Sequence, residues 1–322
     1  EHDSVALRKV KITYKNGIDI NNPSGIHIFT DVSGDDNTVG WLGGDSEHQK
    51  NRTYTNISYQ RSYVNREHSF QFEADAVDSD GEGELLDAII EWMDTSQDKD
   101  DYEGGDVYGY GHISTWDVSK VTTFRELFYN LDDPDEFNED ISLWNVSSVT
   151  DMEAAFEDCE EFNIDISNWD VSKVEDMEYM FKSAELFNQP INRWNVSKVT
   201  HMARMFHSAE SFNQPLNSWD VSSVTDMTQM FYSIESFNQP LNSWNVSKVT
   251  YMQSMFRSTE SFNQEIGDWD VSSVMTMRSM FDHAEVFNQD IGGWDVSSVT
   301  TMKNMFDGAL DFNQDIGGWD VS

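Results

Sequence analysis

The chain has 322 residues, a formal net charge of −39 at pH 7, 38% hydrophobic residues and 13% aromatic residues. This charge excludes nucleic acid as a partner, because phosphates would be repelled and the sequence has no basic stripe to offset that repulsion. No run of about eighteen apolar residues, which a transmembrane helix requires, occurs in it.

Residues 1–77 have the pattern of a small β-rich domain. Residues 10–14 alternate between apolar and polar, and the Asn-Gly pair at 16–17 is typical of a tight turn. A further apolar run follows at residues 26–29. We expect a separate sandwich or barrel fragment here, and the sequence does not indicate its function.

N-x-[ST] sequons, the acceptor motif for N-linked glycans, occur at several positions. Three of them, at Asn145, Asn195 and Asn245, follow from a tandem repeat and carry little weight. Asn51 and Asn56 lie outside that repeat, so they are the candidate glycosylation sites if the source is eukaryotic.

Residues 78–112 predict an acidic loop and a capping helix. Apolar residues recur on one side of residues 84–93, as in an amphipathic helix. This helix precedes the first repeat, and we expect it to cover the exposed end of the repeat core.

Carboxylates clustered around glycines at the start of this helix form a candidate calcium site. In EF-hand register the ligands would be Asp78, Asp80, Glu82, Glu84 and Asp87. The segment does not match a true EF-hand, because the first ligand position would be Ala76 and the shorter Asp87 replaces the usual glutamate at the last position. A looser calcium loop and an acidic first turn favoured by the helix dipole both remain open.

Residues 113–322 carry a tandem repeat of 25 residues, with tryptophan recurring between Trp116 and Trp319. The unit reads F-N-Q-x-[IL]-x-x-W-[DN]-V-S-x-V-T-x-M-x-x-M-F-x-x-A-E-x, and the first tryptophan interval is longer, at 28 residues. Eight or nine such repeats must stack, because one alone cannot bury its apolar residues. The last repeat carries no polar cap, so we expect the array to continue beyond residue 322 or to dock on another subunit.

Each repeat contains two hydrophobic periods. Residues 219–224 begin with the alternation of a short half-buried strand, and residues 227–234 carry apolar residues at i, i+3, i+4 and i+7, as on one helix face. We therefore predict an α/β repeat solenoid, leucine-rich-repeat-like, with one short strand and one short helix per coil. The asparagine in the F-N pair of each repeat predicts an internal hydrogen-bonded ladder.

The single cysteine, Cys159, excludes an intramolecular disulfide. It occupies the position that Ala184 and Ala209 take in later repeats, which predicts a buried, inert thiol rather than a nucleophile.

The W-D-V-S-x-V-T-x-M-x-x-M-F runs, such as residues 219–231 and 294–306, resemble the repeats of BspA-like surface proteins, first noted in bacterial and mycoplasma surface lipoproteins. The resemblance covers roughly residues 84–322. It implies a leucine-rich-repeat-type solenoid at a cell surface, engaged in adhesion or in building surface structure. The family carries no catalytic motif that could be transferred.

The residue after each repeat tryptophan predicts a candidate binding face, because it should point away from the core. These residues are Asp117, Asn145, Asp170, Asn195, Asp220, Asn245, Asp270, Asp295 and Asp320. Like charges in adjacent strands repel, and the interleaved asparagines would relieve this repulsion. The column is either a binding face for cations or polar ligands, or a solvated surface.

We expect an extracellular or cell-surface protein that mediates adhesion, or binds a protein or glycan partner, through the sheet face. The alternative is a structural subunit that polymerises with copies of itself into a surface filament, appendage or coat. No enzymatic activity is expected, since the serines beside the column have no histidine at a fixed offset. Calcium is the one cofactor that the sequence suggests.

Overall fold

The computed structural model describes residues 28–31, 39–42, 72, 83–95 and 112–321. The chain divides into two compact units, residues 1–70 and 71–322. In the first unit, strands β1 (Ile28–Asp31) and β2 (Val39–Leu42) pair antiparallel. The predicted run at 26–29 overlaps β1, whereas the other features predicted for residues 1–77 lie outside the described residues.

A helix, α1 (Glu84–Thr95), forms where the capping helix was predicted. Its buried face carries Leu85 and Ile89, which belong to the same apolar core as Trp116 of the first repeat. Trp92 packs edge-on against Trp116, with ring centroids 6.3 Å apart. In the described part of the chain, no helix has the length and apolarity needed to cross a membrane.

The predicted α/β leucine-rich-repeat-like architecture is wrong, because each repeat is built from tight turns. We number the repeats by their tryptophans, from repeat 1 at Trp116 to repeat 8 at Trp294, and call residues 112–321 the repeat stack. In repeat 5, Val224 N–H donates to the Val221 carbonyl at 2.9 Å, and Met230 N–H to the Met227 carbonyl at 3.2 Å. Residues 227–234, predicted as a helix, contain no α-helix.

No strand forms in the described repeats either, and the β pairing that links them is reduced to single parallel bridges. These bridges join Thr123 to Asp151, Asp151 to Asp176, Asp176 to His201, His201 to Asp226, Asp226 to Tyr251, Tyr251 to Thr276 and Thr276 to Thr301. Two 3-10 helices, Ile113–Thr115 and Pro134–Glu136, complete the regular structure of this region.

The hydrophobic spacing explains why a helix was predicted. The two ends of a four-residue turn lie close together, so consecutive turns place apolar residues at i, i+3, i+4 and i+7, as a helix does. Gln229 and Ser233 have φ of 55° and 56°, at the third positions of the turns 227–230 and 231–234. A positive φ at that position is typical of a type II turn and is incompatible with an α-helix.

Successive repeats are joined by backbone hydrogen bonds at alternate residues. In repeat 5, the N–H groups of residues 227, 229, 231 and 233 donate to carbonyl oxygens of residues 251, 253, 255 and 257, at 2.9–3.0 Å. When each repeat tryptophan is counted as position 0, these donors lie at positions 8, 10, 12 and 14, within the segment of positions 7–14. We call the surface formed by positions 7–14 the ladder face.

The core consists of side-chain columns that run through the stack. Met230 and Phe231 are fully buried, as predicted. The Phe231 ring stacks on Phe206 and Phe256 of the adjacent repeats, with centroids 5.9 and 5.7 Å away. Cys159 is also buried, as predicted, and burial raises the pKa of its thiol well above the ordinary value.

From Trp144 onward, each tryptophan also links its repeat to the preceding coil by a hydrogen bond. The Trp219 indole N–H donates to the Ile191 carbonyl at 3.1 Å, and Trp244 donates to the Leu216 carbonyl at 3.0 Å. These carbonyls are buried among apolar side chains, so the indole satisfies an acceptor that water does not reach. The requirement for a donor explains why phenylalanine, the other common aromatic residue of the repeat, does not stand at this position.

The predicted asparagine ladder is present, but it lies at the surface rather than inside the stack. Asn213 Oδ1 accepts from the Asn238 N–H at 3.1 Å and from Gln239 Nε2 at 3.0 Å. Asn213 is half-buried and Asn238 is exposed. The glutamine that follows each of these asparagines therefore strengthens the ladder, a role that the sequence pattern did not indicate.

We predict that Phe231→Ala lowers the free energy of unfolding by about 3–5 kcal/mol, because it opens a cavity between two stacked rings. Denaturant titration measures the effect. The matched control is Tyr251→Ala, whose side chain is 44% exposed in the next repeat and should change stability by about 0.5 kcal/mol or less. Equal effects of the two variants would contradict the stacked core.

We predict that Trp219→Phe lowers the free energy of unfolding by about 1–3 kcal/mol, because the buried Ile191 carbonyl loses its donor. The same titration checks this. A variant as stable as the native chain would show that the indole bond contributes nothing.

Candidate binding surface

The aspartate and asparagine column predicted as a binding face is exposed, apart from the half-buried Asp117. Its side chains close their own turns. Asp220 Oδ1 accepts from the Ser222 N–H at 3.1 Å, and Asn245 accepts from Ser247 in the same way at 3.2 Å. Equivalent bonds form at Asp117, Asn145, Asp170, Asn195, Asp270 and Asp295.

These local bonds affect the acidity of the column. The Ser222 side chain, and then its backbone N–H, lowers the pKa of Asp220 below the ordinary value. The same cause lowers the pKa of Asp170, Asp270 and Asp295. The regularity of the column thus has a structural reason, and its role as a binding face stays a prediction.

The candidate calcium loop is described only in part. Glu84 and Asp87 lie in the first turn of α1, where the Asp87 N–H donates to the Gly83 carbonyl at 2.9 Å. Asp78, Asp80 and Glu82 lie outside the described residues, as do Asn51 and Asn56. Within the described ranges, no three His, Cys, Asp or Glu side chains are grouped to hold a metal ion. The calcium and glycosylation sites therefore stay predictions.

The repeats can be compared with one another, and the ladder face contains both constant and variable positions. Positions 8, 11 and 12 point inward and keep Met, Met and Phe with few exceptions. Positions 7, 9, 10 and 13 change from repeat to repeat: Tyr232 in repeat 5 becomes Arg257 in repeat 6. The fold does not fix these residue types, so this surface is free to encode a specific partner. Variability within the chain is the signal that the sequence analysis missed.

A cation–π cluster occupies the middle of the ladder face. The Arg204 guanidinium lies over the Tyr179 ring, 5.0 Å from its centroid, and also donates to the Tyr179 hydroxyl. Its Nε donates to Gln229 Oε1 at 2.6 Å. Three repeats are thereby linked through one side chain, which holds the guanidinium in a fixed orientation.

A second chain of contacts lies beside it. The His207 ring stacks on the Tyr232 ring at a centroid distance of 4.4 Å. The Arg257 guanidinium also lies over the Tyr232 ring, 5.6 Å from its centroid. Arg257 Nε is 3.5 Å from the buried carboxylate of Asp282. Tyrosine and arginine are the residues most enriched at energetically important positions of protein interfaces.

His207 is neutral at physiological pH. Burial, together with the charges of Lys182 and Arg204, lowers its pKa from 6.5 to about 4. Its Nδ1 atom is buried and has no hydrogen-bond partner among the described residues. The uncharged ring can therefore pack against two cationic side chains without repelling them.

We predict that His207 makes the protein less stable as the pH falls from 6.5 towards 4. In this window the unfolded chain binds a proton at His207 that the folded chain excludes, so the free energy of unfolding decreases with decreasing pH. His207→Gln should flatten this dependence in urea titrations at pH 7, 5.5 and 4.5. Tyr232→Phe keeps the covering ring and should retain the native slope; an unchanged slope in His207→Gln would contradict the prediction.

Comparison with known proteins identifies a family for the repeats. Residues 106–209, 168–261 and 237–322 each match the family described as "Mycoplasma protein of unknown function, DUF285". Neither the curated proteins nor the solved structures contain a match to the chain. The tandem matches support a repeat-protein family but not the BspA-like leucine-rich-repeat assignment that the resemblance implied. Because the three matches span residues 106–322, well over half of the chain, it belongs to the DUF285 family.

Proposed function

We propose that the chain is an extracellular or cell-surface repeat protein that mediates adhesion by binding a protein partner through its ladder face. Membership of a tandem-repeat family and the resemblance to BspA-like surface proteins support the cellular location. The observation that carries the binding role is the grouping of Tyr179, Arg204, His207, Tyr232 and Arg257 on the variable surface.

A rigid support favours binding at this surface. The backbone beneath each outward side chain is hydrogen-bonded to the adjacent repeat, and Arg204 is already held by Gln229 and Tyr179. Little side-chain freedom is lost when a partner docks on groups that are already ordered, so more of the contact energy appears as affinity.

Charge also favours the ladder face over the rest of the stack. Outside it, a glutamate column crosses six repeats at Glu160, Glu185, Glu210, Glu235, Glu260 and Glu285. Glu185 is the main cause of the raised pKa of Glu160, so these carboxylates already repel one another. A partner of ordinary composition would meet less repulsion at the aromatic and cationic middle of the ladder face. We propose no catalytic step at this surface.

We predict that non-adherent bacteria displaying the full chain attach to at least one of three surfaces: immobilised extracellular-matrix protein, mucin glycan, or cells displaying the same chain. The double variant Arg204→Ala/Tyr232→Ala should reduce attachment about tenfold, because it removes two central contacts. The control Glu210→Ala/Glu235→Ala lies on the glutamate column and should attach like the native chain.

Thermal melts of the purified variants establish that both remain folded. Attachment to mucin alone would show that the partner is a glycan and not a protein. Attachment to none of the three surfaces, or equal loss in the control, would refute the proposed function. Protection of the chain from added protease on intact producing cells would refute the surface location.

A further inference from the structure

The charges of the ladder face are separated into two blocks along the stack. Repeats 2 and 3 carry an acidic block, comprising Asp151, Glu153, Glu157, Asp158, Asp176 and Glu178. Three cations lie among them: Lys182 is bound to Glu157 at 2.5 Å, Arg125 of repeat 1 pairs with Glu153, and Arg204 of repeat 4 lies 3.9 Å from Glu178. Burial raises the pKa of Glu178, and the neighbouring charges of Asp176, Glu153 and Asp226 raise it further. The six carboxylates outnumber these three cations, so the block would still gain from an additional cation.

Repeats 6, 7 and 8 carry the opposite block. At positions 7 and 9 they have no acid, and their residues are Tyr251, Gln253, Thr276, Arg278, Thr301 and Lys303. Arg278 and Lys303 are exposed. At position 13, the Asp282 carboxylate is buried beside Arg257, at 3.5 Å, and Asp307 is exposed, so the positive charge of this block is concentrated at position 9.

The two blocks are placed symmetrically about repeat 5. Repeats 2 and 8 lie equally far from it, as do repeats 3 and 7 and repeats 4 and 6. A two-fold axis in the plane of the ladder face, perpendicular to the stack and passing through repeat 5, reverses the repeat order and keeps each position opposite its equivalent. Position 9 of repeat 7 then faces position 9 of repeat 3.

We propose that the ladder face binds the ladder face of a second copy of this chain, antiparallel, with Arg278 opposite Glu178 and Lys303 opposite Glu153 of the other copy. Repeats 4 and 6 bring His201 opposite Tyr251, and His207 opposite Arg257. Tyr232 meets its own equivalent at the axis. The inference rests on the proposed function, because it makes the adhesive partner the same protein on a neighbouring surface.

A second copy explains the block order better than an unrelated acidic or basic protein does. At position 9 the face presents both signs, and Glu153 and Glu178 find their complements only when the direction is reversed. These pairs must outweigh two like-charge contacts, Asp307 opposite Glu157 and Asp226 opposite its own equivalent. The net charge of −39 opposes association at long range. At physiological salt the Debye length is about 8 Å, so that repulsion is screened while contact pairs in the interface are screened much less.

Charge reversal tests this arrangement in the full chain. Sedimentation velocity at about 0.15 M salt should show a dimer of the native chain. The basic-block variant Arg278→Glu/Lys303→Glu and the acidic-block variant Glu153→Arg/Glu178→Arg should each raise the dissociation constant about 100-fold, because like charges then face one another at four contacts. Mixing the two variants restores every opposite-charge contact, so a heterodimer should form.

The control Lys198→Glu/Lys248→Glu makes the same change of net charge outside the ladder face and should leave the native dimer unchanged. A native chain that stays monomeric, a dimer that survives both reversals, or a mixture that fails to associate would overturn the pairing. If the native chain is monomeric but displaying cells still attach to matrix protein, the pairing fails and the proposed function stands.

Discussion

The inter-repeat backbone hydrogen bond is the constraint from which the rest of the structure follows. The described repeats contain no α-helix or strand, so their N–H groups on the ladder face depend on the carbonyls of the next repeat. This ladder requires the same backbone path every 25 residues. The same register stacks Phe231 on Phe256 and places the Trp244 indole beside the Leu216 carbonyl.

The ladder also holds residues in a conformation that they would otherwise avoid. Tyr179, Arg204 and Gln229 occupy equivalent positions in three repeats and all have φ between 55° and 58°. Non-glycine residues rarely adopt this region, and they remain there when surrounding structure determines the path. The N–H of each of these residues donates to the next repeat, so stacking offsets the local strain.

The sequence predicted the features that depend on side-chain burial: the repeat length, the apolar columns, the buried Cys159 and helix α1. It could not predict the backbone between them, because consecutive turns and a helix share one hydrophobic spacing. The predicted binding face rested on the regular exposure of residues such as Asp220. That regularity comes from a hydrogen bond to Ser222, so at this position repetition reflects folding. Variation, as between Tyr232 and Arg257, is the feature on which the proposed binding surface rests.

The separation of folding from surface chemistry explains how a charge pattern can arise on such a stack. Backbone bonds and inward-pointing Met and Phe side chains hold each repeat in place, so a change at position 9 alters charge without altering the register. Glu153 and Glu178 can therefore be collected in one block, and Arg278 and Lys303 in another. A globular domain whose surface residues also complete its core has less freedom of this kind. In a repeat stack, the order of the repeats itself sets where along the surface a partner can bind.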